Sequence, residues 1–201
     1  MPLAQINDAP TEFFYRDSGV PMVQDRPYTT IVAVHGLGWN SREGPKYALV
    51  YSHYVLGCHI PDIFSRLLPL ATASHVRLVI LNRRGYYGST PYSKEEIAGI
   101  AAAERDEAHA GTTRLDCKHY LTFMQQRGAE IARFLSWFID KEKIPPRSND
   151  ESGANGGISL LGWALGNTTT LSLLALANTL DPGLMKKLEK HLRKVVIFGA
   201  L

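Results

Sequence analysis

The stretch Ile158-Ser-Leu-Leu-Gly-Trp-Ala-Leu-Gly166 decides the fold, because a very short turn joins two kinds of secondary structure in it. Residues 157–161 form an apolar run typical of a buried strand, and a helical pattern begins near Asn167. Gly162 and Gly166 lie two residues before and two residues after Ala164. Because glycine has no Cβ, the helix can approach the strand closely and the central residue can take a strained conformation. We therefore expect a strand, a sharp turn and a helix.

Further apolar runs alternate with helical patterns on either side of this turn. The runs at 13–17, 28–34, 76–81, 157–161 and 195–198 predict strands, and the patterns at 61–70, 120–139, 167–180 and 184–192 predict helices. This alternation predicts right-handed βαβ units in an α/β domain, with a doubly wound, mostly parallel sheet and helices on both faces. The polar, Pro/Gly-rich segment 145–157 interrupts the pattern without changing it. We therefore expect an internal loop in a single domain spanning 1–201.

Composition narrows the class of protein. The 201 residues are 45% hydrophobic and 20% charged, which suits one domain with one core. Lys and Arg total 22 against 19 Asp and Glu, without the clustering of a nucleic-acid surface, so we expect no nucleic-acid partner. Two cysteines are too few for a disulfide scaffold or a four-ligand zinc site, and no run approaches the roughly 20 apolar residues of a membrane span. These features predict a cytoplasmic protein without metal or cofactor.

Three motifs in sequence order carry a resemblance to a known family. His35-Gly-Leu-Gly38 follows one predicted strand, Asn82-Arg-Arg-Gly-Tyr-Tyr-Gly-Ser-Thr90 follows another, and Gly162-Trp-Ala-Leu-Gly166 is the turn described above. Together they resemble the oxyanion loop, the Asp-x-Arg-Gly-Tyr-Gly-x-Ser segment and the nucleophile elbow of the α/β-hydrolase family. The resemblance runs from about residue 13 to the end of the chain. It implies the hydrolase fold, a small hydrophobic ester-like ligand and an ancestral hydrolysis of a small ester or related substrate.

The resemblance also assigns a role to individual residues. Ala164 stands at the nucleophile position, and the backbone N–H groups of Leu37 and Leu165 would face an oxyanion. The residues that would support these motifs are His35, Gly36, Gly38, Gly162 and Gly166. His35 is expected to brace its loop rather than act as a base. Trp39 and Trp163 either line a substrate pocket or pack into the core.

The chain departs from the family pattern at the position that matters most for catalysis. Alanine offers no lone pair, so covalent catalysis at Ala164 is impossible. After the elbow the sequence contains neither the expected acid nor the expected histidine, since His191 falls within a predicted helix. Three interpretations remain open: a C-terminally truncated hydrolase, a pseudoenzyme that binds a small molecule or a protein, and an engineered variant.

Other polar clusters allow a functional and a structural interpretation. Arg83 and Arg84 could hold a carboxylate, but a salt bridge that braces the turn is favoured. His53, Cys58 and His59, and the charged residues of 104–109, are too incomplete for a metal site. The basic segment 186–194 could contact an anionic surface, although a solvated helix face is the simpler interpretation.

Overall fold

A computed structural model of the chain describes residues 3–5, 11–22, 28–36, 64–86, 88–99, 101, 118–148 and 156–199. Its strands are β1 (Leu3–Gln5), β2 (Glu12–Asp17), β3 (Thr29–Val34), β4 (Val76–Leu81), β5 (Ile158–Trp163) and β6 (Leu192–Phe198). They form one sheet in the order β1-β2-β4-β3-β5-β6. Strands β4, β3, β5 and β6 are parallel, whereas β2 is antiparallel to β4 and β1 is antiparallel to β2. The predicted α/β architecture with a mostly parallel sheet is confirmed.

Four helices accompany the sheet within the described residues for which bounds are defined. They are α1 (Leu68–Ala73), α2 (Lys118–Glu142), α3 (Gly166–Ala175) and α4 (Pro182–His191), and a short 3-10 helix spans Ala177–Thr179. Residues 94–99 are also helical. Across the described part of the chain, no helix combines the length and apolar character that crossing a membrane requires.

Two helix predictions are wrong in their bounds. Within the helix predicted at 61–70, residues 64–65 are helical, residues 66–67 form a turn, and α1 then continues to Ala73. Pro69 lies in the first turn of α1, the place in a helix where proline is tolerated. Residues 61–63 lie outside the described residues. The helix predicted at 167–180 ends at Ala175. Beyond it, the Thr179 hydroxyl donates to the Leu176 carbonyl over 2.7 Å, and such side-chain bonds compete with continued helix.

The last helix and strand also differ from the predicted bounds. Helix α4 starts at Pro182 because the Asp181 carboxylate caps it, accepting the Leu184 N–H over 2.8 Å. Leu192, predicted to end this helix, is extended and begins β6, which was expected only from Val195. Strand β1 was not predicted, because three residues are too few to show alternation.

Hydrophobic clusters cover both faces of the sheet. On one face, Val32 and Val34 of β3 contact a core that includes Phe134 and Phe138 of α2 and Leu188 of α4. On the other face, Ala33 and Ile80 belong to a smaller cluster with Ala71 of α1. Because alternate residues of β3 point to opposite faces, its nearly continuous apolar sequence serves both clusters.

Two buried arginine clusters connect β4 and the loop after it to α2. Arg77 of β4 donates to Asp17 of β2 and to Glu142 at the end of α2. Arg84, just after β4, pairs with Glu96 over 2.7 Å and with Glu130 of α2 over 3.0 Å. Burial raises the pKa of the Glu130 carboxyl. These arginines bind α2 to β4 and its loop, and the salt-bridge interpretation of Arg84 is confirmed.

Helix α2 packs closely on α3 at Gly128, which gives a prediction about stability. A Cβ at Gly128 would lie 2.9 Å from the Ser172 carbonyl oxygen, whereas a Cβ at Gly99, also in a helix, meets nothing within 4 Å. Helix propensity alone favours Gly→Ala by about 0.5–1 kcal/mol at both positions. We expect Gly99→Ala to raise the free energy of unfolding by about that amount, and Gly128→Ala to lower it by roughly 1–2 kcal/mol through overpacking. Urea denaturation measures both changes. An equal rise in the free energy of unfolding for both variants would contradict the close packing of α2 on α3.

Candidate active site at the carboxyl ends of β3 and β5

The candidate site lies where the strand order reverses direction. Strand β3 is paired with β4 on one side and with β5 on the other, and all three are parallel. The chain therefore leaves the carboxyl ends of β3 and β5 toward different neighbours. In open α/β sheets, ligands bind outside the carboxyl ends of the strands at such a switch point. His35 and Gly36 follow β3 there, and Ala164 follows β5.

Ala164 adopts the strained conformation expected for the turn. Its φ is +47°, in the left-handed region that alanine rarely occupies, and it stands between the end of β5 at Trp163 and the start of α3 at Gly166. The Asn167 N–H donates to the Ala164 carbonyl over 2.9 Å, which closes the turn. The predicted strand, sharp turn and helix are confirmed.

The flanking glycines are required by close contacts. A Cβ at Gly166 would lie 2.3 Å from the Val34 carbonyl oxygen at the end of β3. A Cβ at Gly162 would lie 2.6 Å from the Thr170 hydroxyl of α3. Real Cβ atoms do not approach other atoms this closely, so only glycine lets α3 pass this near to the two strands.

Gly36 brings the loop after β3 against the turn. A Cβ at Gly36 would lie 2.9 Å from the Ala164 Cβ and 3.5 Å from the Leu165 nitrogen. Within the described residues, the Leu165 N–H donates to no backbone carbonyl. Because it precedes the first turn of α3, this N–H lies at the positive end of the helix dipole. The structure thus brings together Gly36, Ala164 and Leu165, three of the residues singled out in the sequence.

The end of β6 holds the turn from the other side, through a residue that the sequence analysis missed. The Ala164 N–H donates to the Phe198 carbonyl over 3.0 Å. Asn167 donates its side-chain N–H to the Gly199 carbonyl over 2.9 Å, and Asn167 itself is buried. An asparagine in the first turn of a helix that follows a glycine turn is the signal that could have indicated this contact.

His35 braces the loop after β3, as predicted. It is fully buried, its Nδ1 lies 2.7 Å from the Gly36 carbonyl oxygen, and its Nε2 accepts the Arg83 N–H over 3.2 Å. These two partners require a neutral ring with its proton on Nδ1. Burial, together with the nearby Arg83 charge, lowers the pKa of His35 to about 3. With both nitrogens engaged, His35 is not available as a general base.

Arg83 extends this brace toward the site. Its Nη2 donates to the Gly36 carbonyl over 3.1 Å and to the Tyr86 hydroxyl over 3.0 Å. The Tyr86 ring meets the His35 ring edge to face, with centroids 4.3 Å apart. The salt bridge expected for Arg83 is not found among the described residues, where its bracing contacts are hydrogen bonds to Gly36 and Tyr86.

The structure describes two of the other residues that the sequence analysis considered, Trp163 and His191. Trp163 is half-buried, and its ring meets the Phe64 ring edge to face with centroids 5.7 Å apart. His191 lies in α4 and its Nδ1 donates to the Lys187 carbonyl over 2.9 Å. The residues that fall outside the described part are Leu37, Gly38, Trp39, His53, Cys58, His59 and 104–109.

The chemistry that these groups permit is binding rather than covalent attack. The methyl group of Ala164 cannot form a bond to a carbonyl carbon, and within the described residues no group of three or more His, Cys, Asp or Glu could hold a metal ion. Among the described residues no backbone carbonyl accepts from the Leu165 N–H, which could donate to the carbonyl oxygen of a ligand. Comparisons with models of known protein families and with curated proteins find no match for this chain.

The left-handed conformation of Ala164 predicts a stabilising substitution. Glycine adopts a positive φ without steric cost, so we expect Ala164→Gly to raise the free energy of unfolding by about 1 kcal/mol. As a control, Ala132→Gly in the buried middle of α2 should lower it by more than about 1 kcal/mol, since that residue is in an ordinary helix. Denaturant titration of the three proteins measures both effects. A loss of stability in Ala164→Gly would contradict the strained turn.

The depressed pKa of His35 predicts a pH-dependent stability. Below pH 6.5 the unfolded chain protonates this ring, whereas the folded protein does so only near its pKa of about 3. The unfolded state therefore binds more protons between these values. We expect the free energy of unfolding to fall by up to about 1.4 kcal/mol per pH unit as pH decreases through this window.

The His35→Gln variant isolates this contribution. Glutamine does not titrate, so its free energy of unfolding should depend less steeply on pH between 6.5 and 4.5 than that of the native chain. Imidazole NMR signals of the native chain should show His35 neutral at pH 5. Identical slopes for the two proteins would contradict the assignment.

Proposed function

We propose that the chain is an α/β-hydrolase-like protein whose elbow binds a small ester-like molecule without forming a covalent intermediate. The observation that carries this proposal is the left-handed φ of +47° at Ala164, held between two glycines that close contacts require. A sharp strand-to-helix turn of this kind presents its central side chain at the carboxyl edge of the sheet in hydrolases. Here the presented group is a methyl.

The surrounding groups support an oxygen-binding role for this position. Leu165 lies between Ala164 and the first residue of α3, Gly166. The loop after β3 lies against the turn at Gly36. In the family that the sequence resembles, an N–H from each of these segments forms the oxyanion hole. A neutral carbonyl oxygen of an ester would accept from the same donors, at lower strength than an oxyanion.

Without a nucleophile at the elbow, an ester could bind at this site but would not be hydrolysed there. An ester that lies in this site meets an alanine methyl, and His35 is occupied by its two loop contacts. The ancestral reaction of the proposed family, ester hydrolysis through an acyl-enzyme, has no first step at Ala164. The protein would thus retain ligand and release it unchanged.

A thiol placed at this position tests the proposed geometry. In Ala164→Cys, the thiolate should attack the carbonyl carbon of p-nitrophenyl acetate, forming a thioester and releasing p-nitrophenolate. The nearby helix N-terminus lowers a thiol pKa, and the Leu165 N–H would stabilise the oxyanion. We expect an additional burst of one equivalent, at least about tenfold faster than acylation of Leu171→Cys.

Leu171→Cys is the matched control because residue 171 is 43% exposed in the middle of the same helix. The native chain, which contains Cys58 and Cys117, gives the background that both variants share. Absorbance at the p-nitrophenolate band measures all three proteins. Equal acylation rates in the two variants would contradict the proposed function.

A further inference from the structure

A basic groove lies at the amino edge of the sheet, away from the elbow. We define it by Lys143, Lys186, Lys187, Lys190 and Asp140, and its volume is about 580 Å³. It is formed between the end of α2 and one face of α4, next to the start of β6. Strand β5 has its first residue at this edge and its last at the elbow, so roughly 16 Å of extended chain separates the two sites.

The face of α4 in the groove is cationic because of helical periodicity. Four residues of α4 line the groove: Lys186, Lys187, Lys190 and His191. Residues three or four positions apart, such as Lys187 and Lys190 or Lys186 and Lys190, lie on the same side of a helix. Leu188 lies on the other side and is buried in the core. The core therefore fixes the rotation of α4, and this rotation turns the lysines toward the groove.

The end of α2 contributes the fourth lysine and an apolar floor. Lys143 has a φ of +51°, and the following N–H, of Ile144, donates to the Ile139 carbonyl over 3.1 Å. This left-handed turn redirects the chain at the end of α2. Ile144, Pro145 and Pro146 then line the groove below the lysines.

Most of this positive charge is uncompensated within the described residues. Lys187 pairs with Asp140 over 2.6 Å, while Lys143, Lys186 and Lys190 form no ion pair there. The dipole of α4 favours cations in its last turn, which accounts for Lys190. It does not account for Lys186 in the middle of the helix. A groove with three lysines that form no ion pair among the described residues is suited to a multiply charged anion.

We propose that the basic groove binds a small molecule that carries two or more phosphate groups. The volume of the groove lies in the range of roughly 300–1,000 Å³ that small-molecule sites occupy. Its described lining contains no Phe, Tyr or Trp, the large rings on which nucleic-acid bases usually stack. The apolar floor can contact the uncharged part of the ligand.

Binding of inorganic tripolyphosphate to the full chain tests this proposal by titration calorimetry. In Lys186→Gln/Lys190→Gln we expect the dissociation constant to rise at least about tenfold. The control, Lys94→Gln/Arg133→Gln, removes the same charge from two exposed residues outside the groove and should change it less than about twofold. Equal weakening in both variants would show general charge attraction and overturn the proposal.

A third variant separates binding from folding. Lys143→Gly removes one groove charge and relieves the left-handed backbone, so it should melt at the same or a higher temperature while binding tripolyphosphate more weakly. Absence of tripolyphosphate binding to the native chain would overturn the proposal. Binding to phosphatidylserine vesicles is a second such outcome, if Lys186→Gln/Lys190→Gln alone loses it and tripolyphosphate does not compete with it. The partner of the groove would then be a membrane.

Discussion

The approach of α3 to the carboxyl ends of β3 and β5 is the constraint on which the site depends. The helix begins so close to β3 that any side chain at Gly166 would overlap the Val34 carbonyl. The same approach excludes a side chain at Gly162, and the end of β5 excludes one at Gly36, where a Cβ would lie 2.9 Å from the Trp163 carbonyl oxygen. These glycines let β3, β5 and α3 lie close together, and the left-handed turn at Ala164 is the short connection between β5 and α3.

Polar contacts hold the surrounding loops to this arrangement. His35 and Arg83 connect the segments that follow β3 and β4, and Phe198 and Gly199 attach the end of β6 to the turn and to Asn167. Each of these hydrogen bonds opposes movement of its loop, because breaking one would leave a buried donor or acceptor unpaired. Hydrogen bonds thus hold the segments after β3, β4 and β6 around the site. The close contacts at the glycines have a different effect, which is to exclude side chains.

The sequence predicts the strands and the elbow well, because both are encoded locally. Apolar runs such as 76–81 match their strands, and the spacing of Gly162 and Gly166 around Ala164 matches the observed turn. Helix ends are predicted poorly, because they depend on single contacts such as the Thr179 hydroxyl bond and the Asp181 cap. The contact of Asn167 with Gly199 and the ion pairs of Arg84 join distant residues, which periodicity cannot reveal.

The backbone strain at Ala164 has an evolutionary consequence. Serine, cysteine and alanine all carry a Cβ, so each meets a similar conformational cost at a φ of +47°. Exchanging one of them for another at this turn changes the chemistry of the side chain and leaves the folding requirement nearly the same. Selection for a stable fold is therefore almost blind to whether a nucleophile is present here, and only selection for catalysis could preserve one.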